Sequence, residues 1–135
     1  MAEACAAILR EVAPSPVELV PIGEALGRVL ATDLVASVEL PPWDNASMDG
    51  YAVRAADIAH ARPASAVRLR VTGTIAAGAH VSERVGVNEA MRIMTGAPVP
   101  AGADSVVRVE DTDAGVDVVS VLSDRDAGRN VRPRG

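Results

Sequence analysis

Four side chains that carry oxygen atoms crowd one short segment, residues 41–53. Asp44, Asn45, Ser47 and Asp49 fall within six positions, behind two prolines and before a glycine that permits an unusual turn. A hard cation such as Mg²⁺ takes oxygen ligands of this kind, usually one or two carboxylates together with substrate phosphates. The same residue types also form ordinary turns, with the neighbouring aromatic residues in the core. Residue types alone favour this structural interpretation, and the cation site stays open as the alternative.

A second segment, residues 92–100, places Thr95 and Gly96 at the end of a short apolar run. A strand that ends in Thr-Gly can present backbone N–H groups and a hydroxyl to an anion. A threonine at a strand end is also a common turn residue. The residues alone favour the turn over the anion site.

The polar tail, residues 124–135, carries four arginines: Arg125, Arg129, Arg132 and Arg134. Guanidinium groups suit phosphate binding, although a run of this kind is more often a solvated linker. His60 and His80 have no partner at metal-ligand spacing and are expected to be structural or on the surface. Cys5 lies on a helical face and is expected to be buried or at an interface rather than a nucleophile.

Composition excludes several classes of function. The 135 residues, with a net charge of −5, predict one modest domain or a core with an arm, and the acidic balance argues against a nucleic-acid backbone binder. No apolar stretch approaches the roughly 18 residues of a membrane span, and the N-terminus lacks the positive region of a secretory signal. One cysteine cannot form an internal disulfide, which fits a reducing, cytoplasmic location.

The predicted elements are two helices followed by short strands. Apolar spacing predicts helices at residues 2–12 and 22–31, and both must pack on something because neither is stable alone. Strands are expected at 34–40, 51–53, 67–71 and 91–95, with a helical turn at 55–61. Residues 105–112 and 116–122 are predicted to form a hairpin. The fold class is therefore α+β and β-rich: a helical arm (1–33), a small mainly-β domain (34–123) and a polar tail (124–135).

Three ordered blocks resemble the MoeA and gephyrin E-domain family of molybdopterin molybdenumtransferases. The first is Pro-Pro-Trp-Asp-Asn-Ala-Ser-Met-Asp-Gly-Tyr-Ala-Val at 41–53, and the second is Arg-Ile-Met-Thr-Gly-Ala-Pro-Val-Pro at 92–100 with the following residues to Glu110. The third is Gly-Arg-Asn-Val-Arg at 128–132. The first block departs from the family pattern at Ala46-Ser47, where the family usually has Ser-Ala, so Ser47 lies one place from the expected hydroxyl.

The resemblance implies an enzyme of molybdenum cofactor biosynthesis. Its family inserts molybdenum from molybdate into adenylylated molybdopterin with Mg²⁺ or another divalent cation, and its members are elongated homodimers of about four domains. The chain would correspond to the arm, which is used for dimerisation, and to the second domain. We therefore expect the chain to be a fragment that lacks the C-terminal domains. Sequencing the reading frame beyond Gly135 would test this expectation. No nucleic-acid or membrane partner is implied.

The resemblance also carries over site residues. The aspartate of Asp-Gly-Tyr and the threonine of Thr-Gly-Ala-Pro correspond to Asp49 and Thr95, which would face the pterin site on a partner protomer. Asp49 would hold the cation or orient molybdate, and Thr95 would donate a hydrogen bond to an oxyanion. The expected substrate-binding neighbours are Asp44, Asn45, Ser47, Gly96 and Arg132. Dithiolene sulfurs of the pterin would bind the metal, so no catalytic cysteine is expected.

Three hypotheses follow for the function. In the first, the chain supplies half of a molybdotransferase active site and is inactive alone. In the second, the arm and the β domain form a dimerisation or scaffolding module, and Asp49 and Thr95 tolerate change. In the third, the chain is a self-contained small-molecule binder. We favour the first for the whole protein.

Overall fold

Short β-strands organise most of this computed structural model, which describes residues 2–13, 15–80 and 82–135. Within these residues the strands are β1 (Asn45–Ala46), β2 (Gly50–Val53), β3 (Val67–Ile75), β4 (Glu89–Ile93), β5 (Ser105–Arg108), β6 (Val118–Val121) and β7 (Val131–Arg132). Five of them form a sheet in the order β5-β2-β4-β3-β6, in which β3 and β4 are parallel and the other neighbours antiparallel. The remaining two, β1 and β7, form a separate antiparallel pair.

Small and β-branched side chains fill a core on each face of the sheet. Successive residues of a strand point to opposite faces, so β2 sends Tyr51 and Val53 into one cluster and Ala52 into the other. Strand β5 is divided in the same way between Val107 and Val106. Because the edge strand β6 joins the same cluster as Tyr51, the sheet curls around this core. The uninterrupted burial of β2 follows from its two covered faces.

Several predicted elements are confirmed. The strand predicted at 51–53 is β2, and the strand at 67–71 is the first half of the nine-residue β3. The expected turn at 55–61 begins with a single turn of 3₁₀ helix at Ala55–Asp57. The strand predicted at 91–95 is β4, displaced by two residues toward the N-terminus.

Two strand predictions are wrong. Residues 34–40 form no strand, and they are exposed, so their apolar side chains are not drawn into a sheet. The predicted hairpin of 105–112 and 116–122 is also wrong, because β5 and β6 lie at opposite edges of the sheet. A 3₁₀ turn at Val109–Asp111 ends β5, and only the short stretches around Thr112 and Val121 pair with each other.

The chain divides into two compact units, Met1–Ser37 and Val38–Gly135. In the first unit, the predicted N-terminal helix is confirmed as α1 (Ala2–Glu11). The helix predicted at 22–31 is wrong, since only Ile22–Glu24 form a 3₁₀ turn. Gly27 adopts a φ of +80°, which an α-helix does not allow, and no buried face compensates for the low helix propensity of two glycines. Cys5 is exposed rather than buried.

The β-rich part of the predicted fold class is confirmed, with one short α-helix and a mainly-β unit in the described residues. The helical arm as predicted is not confirmed. In the second unit, the tail (124–135) adds β7 and hydrogen-bonds to β5. The domain limits at residues 33 and 123 stay predictions. No helix in the described part of the chain is long and apolar enough to cross a membrane.

Candidate functional site

Asp49 and Thr95 meet directly at the surface of the second unit. The backbone N–H and the hydroxyl of Thr95 both donate to Oδ1 of Asp49, each over 2.7 Å. Both side chains are exposed. In the described part of the chain, Oδ2 of Asp49 accepts no hydrogen bond, so one carboxylate oxygen is held while the other remains available to a ligand.

The register of two neighbouring strands creates this contact. Asp49 immediately precedes β2, Thr95 follows β4 by two residues, and the antiparallel register pairs Gly50 with Ile93. Gly50 is required here, because a Cβ at this position would lie 1.9 Å from the carbonyl oxygen of Val107. Only glycine allows β2 to lie between β4 and β5 at the point where Asp49 leaves the sheet.

Hydrogen bonding keeps the Asp49 carboxylate ionised. The backbone N–H of Thr95 lowers the pKa of Asp49 most, followed by the Thr95 hydroxyl, and desolvation opposes them. The positive charge of Arg92 lowers this pKa further. Asp49 is thus a fixed anionic group throughout the neutral pH range.

The second group of expected site residues lies around β1 and β7. Asn45 pairs with Arg132 in the ladder, and the backbone N–H of Ser47 donates to the carbonyl of Asn130 over 3.0 Å. The carbonyl of Ala46 accepts a hydrogen bond from Gly96 N over 2.8 Å, which connects this group to the loop that carries Thr95. The three sequence blocks therefore converge on one region of the second unit.

These neighbours differ in how accessible they are. Asp44 and Arg132 are exposed, whereas Ser47 and Gly96 are half-buried. Gly96 has a φ of +81°, which turns the chain directly after Thr95. Asp44 Oδ1 accepts a hydrogen bond from the backbone N–H of Arg134 over 2.8 Å, so it orders the tail in addition to facing solvent.

Asn45 is buried, and its Oδ1 atom has no hydrogen-bond partner within the described residues. A buried amide oxygen without a donor is costly, so this atom requires a hydrogen-bond donor that the described side chains do not supply. Ala46 is fully buried beside it. The family usually has serine at position 46, and a hydroxyl at that position would be buried. Ser47, by contrast, is half-buried.

The basic tail divides into paired and unpaired arginines. Arg125 pairs with Asp111, and Arg134 pairs with Glu39. Arg129 and Arg132 form no ion pair in the described part of the chain and are exposed. The expected histidines, His60 and His80, are both on the surface. The tail therefore leaves two free guanidinium groups.

The residues form only part of a cation site. Across residues 2–13, 15–80 and 82–135, no three His, Cys, Asp or Glu side chains group together in a way that could hold a metal ion. Asp49, with one oxygen unoccupied by hydrogen bonds, fits the role of a single carboxylate ligand. Mg²⁺ commonly keeps several waters and takes one or two carboxylates plus substrate phosphates, so this donor set is compatible with a cation that substrate helps to bind.

Arg92 was not singled out from the sequence, although it begins the second block. Arg92 is the register partner of Tyr51, and its guanidinium carbon lies 5.0 Å from the centre of the Tyr51 ring. The strand predicted at 91–95 was the available signal, because successive residues of a strand point to opposite faces and Arg92 is thereby separated from Met91 and Ile93. Tyr51 itself is fully buried, as expected for a core aromatic residue, whereas Trp43 is 40% exposed.

Comparison with known proteins agrees with these blocks. The model of the family described as "MoeA N-terminal region (domain I and II)" matches residues 1–135. The molybdopterin molybdenumtransferase of Synechococcus elongatus is 43% identical over 133 residues, which are 95% of this chain and 32% of that protein. Molybdopterin molybdenumtransferase 2 of Mycobacterium tuberculosis is 47% identical over 116 residues, which are 86% and 29%.

A solved structure shows the same fold. The crystal structure of the molybdopterin biosynthesis moeA protein from Pyrococcus horikoshii OT3 superposes with a TM-score of 0.77 at 38% identity, covering 87% of this chain and 31% of that one. The chain spans about a third of the length of the curated relatives it matches. On the family model and these relatives together, the chain belongs to the MoeA family of molybdopterin molybdenumtransferases and corresponds to its N-terminal region.

Proposed function

We propose that this chain is the N-terminal part of an enzyme that inserts molybdenum from molybdate into adenylylated molybdopterin. It contributes Asp49 and Thr95 to an active site that a third domain of a partner protomer completes. The observation that carries the proposal is the double hydrogen bond between these two residues. It holds an exposed, ionised carboxylate in one orientation.

The geometry supports a division of labour between the two residues. A hydroxyl has one hydrogen, and that of Thr95 is directed at Asp49. We therefore assign Thr95 a positioning role through Asp49, in place of the expected hydrogen bond to an oxyanion. Asp49 is the residue that faces substrate, and its second oxygen is the group it offers.

A divalent cation fits this arrangement as a partner of Asp49. When bound, the cation would neutralise negative charge on the oxygens of the substrates. Asp49 holds its carboxylate ionised for that purpose, since the Thr95 hydrogen bonds lower its pKa. Arg132, exposed on β7, and the exposed carboxylate of Asp44 are assigned to substrate binding, with Asn45, Ser47 and Gly96 shaping the same region.

Catalysis in this proposal rests on positioning and electrostatics. The one cysteine of the chain, Cys5, is exposed on α1, in the other unit from Asp49. The chain therefore orients and charges the site, and within the described residues no thiol lies beside Asp49.

We also propose that two copies of the protein associate through the first unit, which would let the two protomers share a site. Within Met1–Ser37, large apolar side chains are exposed, among them Ile8, Leu9, Val12, Leu19, Ile22, Leu26, Val29 and Leu30. Exposed apolar surface of this extent is typical of an interface. We place the partner protomer and the C-terminal domains of the same protein against the chain, in the cytoplasm.

The alternative is a dimerisation or scaffolding module without catalysis of its own. The exposed apolar residues of the first unit favour it equally. The scaffolding module gives Asp49 and Thr95 no role. The two hydrogen bonds between these residues are the observation against it.

The test is Asp49→Asn in the full-length protein. The amide oxygen of asparagine can still accept both hydrogen bonds from Thr95, so the fold is preserved while the charge is lost. We expect molybdenum insertion to fall by about 100-fold or more, as for other lost electrostatic contacts in active sites. The matched control is Asp117→Asn, which removes an exposed carboxylate outside the three blocks. Activity of the Asp49 variant near that of the control would favour the scaffolding module.

A further inference from the structure

A half-open cavity of about 340 Å³ lies on one face of the sheet, and neither Asp49 nor Thr95 lines it. Its lining includes Tyr51 from β2 and Arg92 from β4, together with the apolar residues Val71, Met94 and Val116. Thr74 also lines it. Ligand sites of small molecules are commonly concave, mostly apolar and supplied with a few convergent polar groups, and this cavity is at the lower end of their size range.

Arg92 is the polar group that requires a partner. In the described part of the chain its guanidinium forms no ion pair and no hydrogen bond, and it is half-buried. The other arginines without an ion pair there are all exposed, namely Arg10, Arg68, Arg84, Arg129 and Arg132. Water satisfies an exposed guanidinium, whereas one partly removed from water gains from an anion.

The cavity is held in shape before any ligand arrives. The guanidinium of Arg92 lies over the Tyr51 ring, a cation–π contact that fixes its orientation. The Tyr51 hydroxyl donates to the carbonyl of Gly115 over 2.9 Å, which anchors a second lining residue of the cavity. A preformed site loses little conformational entropy on binding.

We infer that this cavity binds a small aromatic or heteroaromatic oxyanion, either an aryl phosphate or an aryl carboxylate. The guanidinium fork of Arg92 receives the oxyanion, because its paired N–H groups match the spacing of phosphate and carboxylate oxygens. The flat ring lies between the apolar walls of Val71, Met94 and Val116. The inference does not use the proposed function, since neither Asp49 nor Thr95 lines the cavity.

The test is a titration of the ¹⁵N-labelled 135-residue chain with phenyl phosphate, followed by NMR at backbone amides and arginine Nε–H groups. We expect saturable shifts at Arg92 Nε–H and at the amides of Gly115 and Val116. Phenol, which has the ring without the charge, should bind at least 10-fold more weakly. Benzoate in place of phenyl phosphate distinguishes the two oxyanions, and saturable binding of either supports the inference.

Matched variants separate this site from general attraction to arginine. Arg92→Gln should weaken phenyl phosphate binding at least 10-fold, and Arg92→Lys should recover part of it. Arg68→Gln removes an exposed, unpaired arginine of β3 and should change nothing. Val116→Trp keeps Arg92 but fills the mouth of the cavity from an exposed turn, and it should also abolish binding. Equal losses for the variants at Arg68 and Arg92, or shifts confined to the tail arginines, would overturn the inference.

Discussion

Asp49 and Thr95 are 46 residues apart in the sequence, yet two donors of Thr95 converge on one oxygen of Asp49 at 2.7 Å each. One donor is the backbone N–H, which any residue except proline would supply at position 95. The other is the hydroxyl, which only threonine or serine supplies. One hydrogen bond therefore depends on the backbone, which the sheet positions, and the other depends on the Thr95 side chain. A mutation of Thr95 can remove the second and leave the first.

Thr95→Val is expected to raise the pKa of Asp49 without restoring its ordinary value. Valine removes the hydroxyl hydrogen bond and leaves that of the backbone N–H, which is the larger cause of the lowered pKa. A ¹³C NMR titration of the Asp49 carboxyl measures this directly. In the full-length protein, molybdenum insertion should fall by roughly 10-fold, within the range found when a residue that orients a ligating side chain is lost.

Thr95→Ser is the matched control, because serine keeps the hydroxyl and loses only a methyl group. We expect its Asp49 pKa and activity to stay close to those of the unaltered protein. If the valine and serine variants have the same Asp49 pKa, the hydroxyl does not act through Asp49, and Thr95 is not a positioning residue.

Gly50→Ala is expected to destabilise the second unit severely. The added Cβ would lie 1.9 Å from the carbonyl oxygen of Val107, which is backbone and cannot move aside without breaking the pairing of β2 with β5. Overpacking of this kind costs about 3 kcal/mol or more. Urea unfolding followed by far-UV circular dichroism measures the loss.

Gly73→Ala in β3 is the control for this substitution. Its Cβ would meet only the terminal methyl group of Met91, at 3.1 Å, and a methionine end can rotate away. Unfolding midpoints that are equal for the two alanine variants would show that the close approach at Gly50 does not limit stability.

Period-two alternation and turn residues were enough to predict the local elements of the sheet. The Val67–Val71 pattern indicated β3, because alternating apolar residues specify a strand wherever one face is buried. The partners of β5 and β6 could not be predicted in this way. The hairpin prediction used proximity in sequence, whereas β5 pairs with β2 and β6 with β3, which depends on how the curled sheet closes around Tyr51.

The sequence singled out candidate site residues but not how they are arranged. Residue types and family resemblance singled out Asp49 and Thr95, and the structure places them in contact. The direction of the Thr95 hydroxyl was not predictable, since it depends on the register of β2 against β4. Arg92 was not singled out because an arginine in a strand is usually solvated, and only the structure shows it half-buried, with no ion pair to any described residue.

Asp126→Asn is expected to lower the free energy of unfolding by about 2–3 kcal/mol. The carboxylate of Asp126 is 2% exposed and accepts three hydrogen bonds from Arg108, from its backbone N–H, Nε and Nη2. Arg108 donates to both carboxylate oxygens of Asp126, and the asparagine side chain has only one oxygen to accept these bonds. Its N–H₂ group would face the Arg108 guanidinium in place of the second oxygen. Thermal unfolding should shift downward by about 10 °C for a unit of this size.

Asp124→Asn is the control for the loss of a charge in the same tail. Its carboxylate pairs with Arg62 at the surface, where both side chains are more than a third exposed. Exposed pairs contribute little because water and salt screen them, so the melting temperature should change far less. A shift as large as that of the Asp126 variant would mean that losing either carboxylate of the tail destabilises the protein equally. Burial of the Asp126–Arg108 pair would then not be the cause.

Acidification is expected to destabilise the second unit below about pH 4. The pKa values of Asp49, Asp113, Asp124 and Asp126 all lie below the ordinary value of 3.8. For Asp126, burial is the largest single effect and opposes ionisation, but the hydrogen bonds from Arg108 and Asn130 and the charge of Arg108 together outweigh it. For Asp113, the N–H of Ser120 is the main cause of the lowered pKa.

The sign of the pH dependence follows from these directions. A carboxyl group whose pKa is lower in the folded state stabilises that state above its unfolded pKa, and the stabilisation is lost as pH falls through the folded pKa. Urea midpoints should therefore be level between pH 7 and 5 and decline from pH 4 to 2.5. Asp113→Asn removes the carboxylate that binds the Ser120 N–H and should make this decline shallower, whereas Asp117→Asn should not. A midpoint that stays constant or rises below pH 4 would contradict the role of these hydrogen bonds, because the folded state would then bind at least as many protons as the unfolded chain.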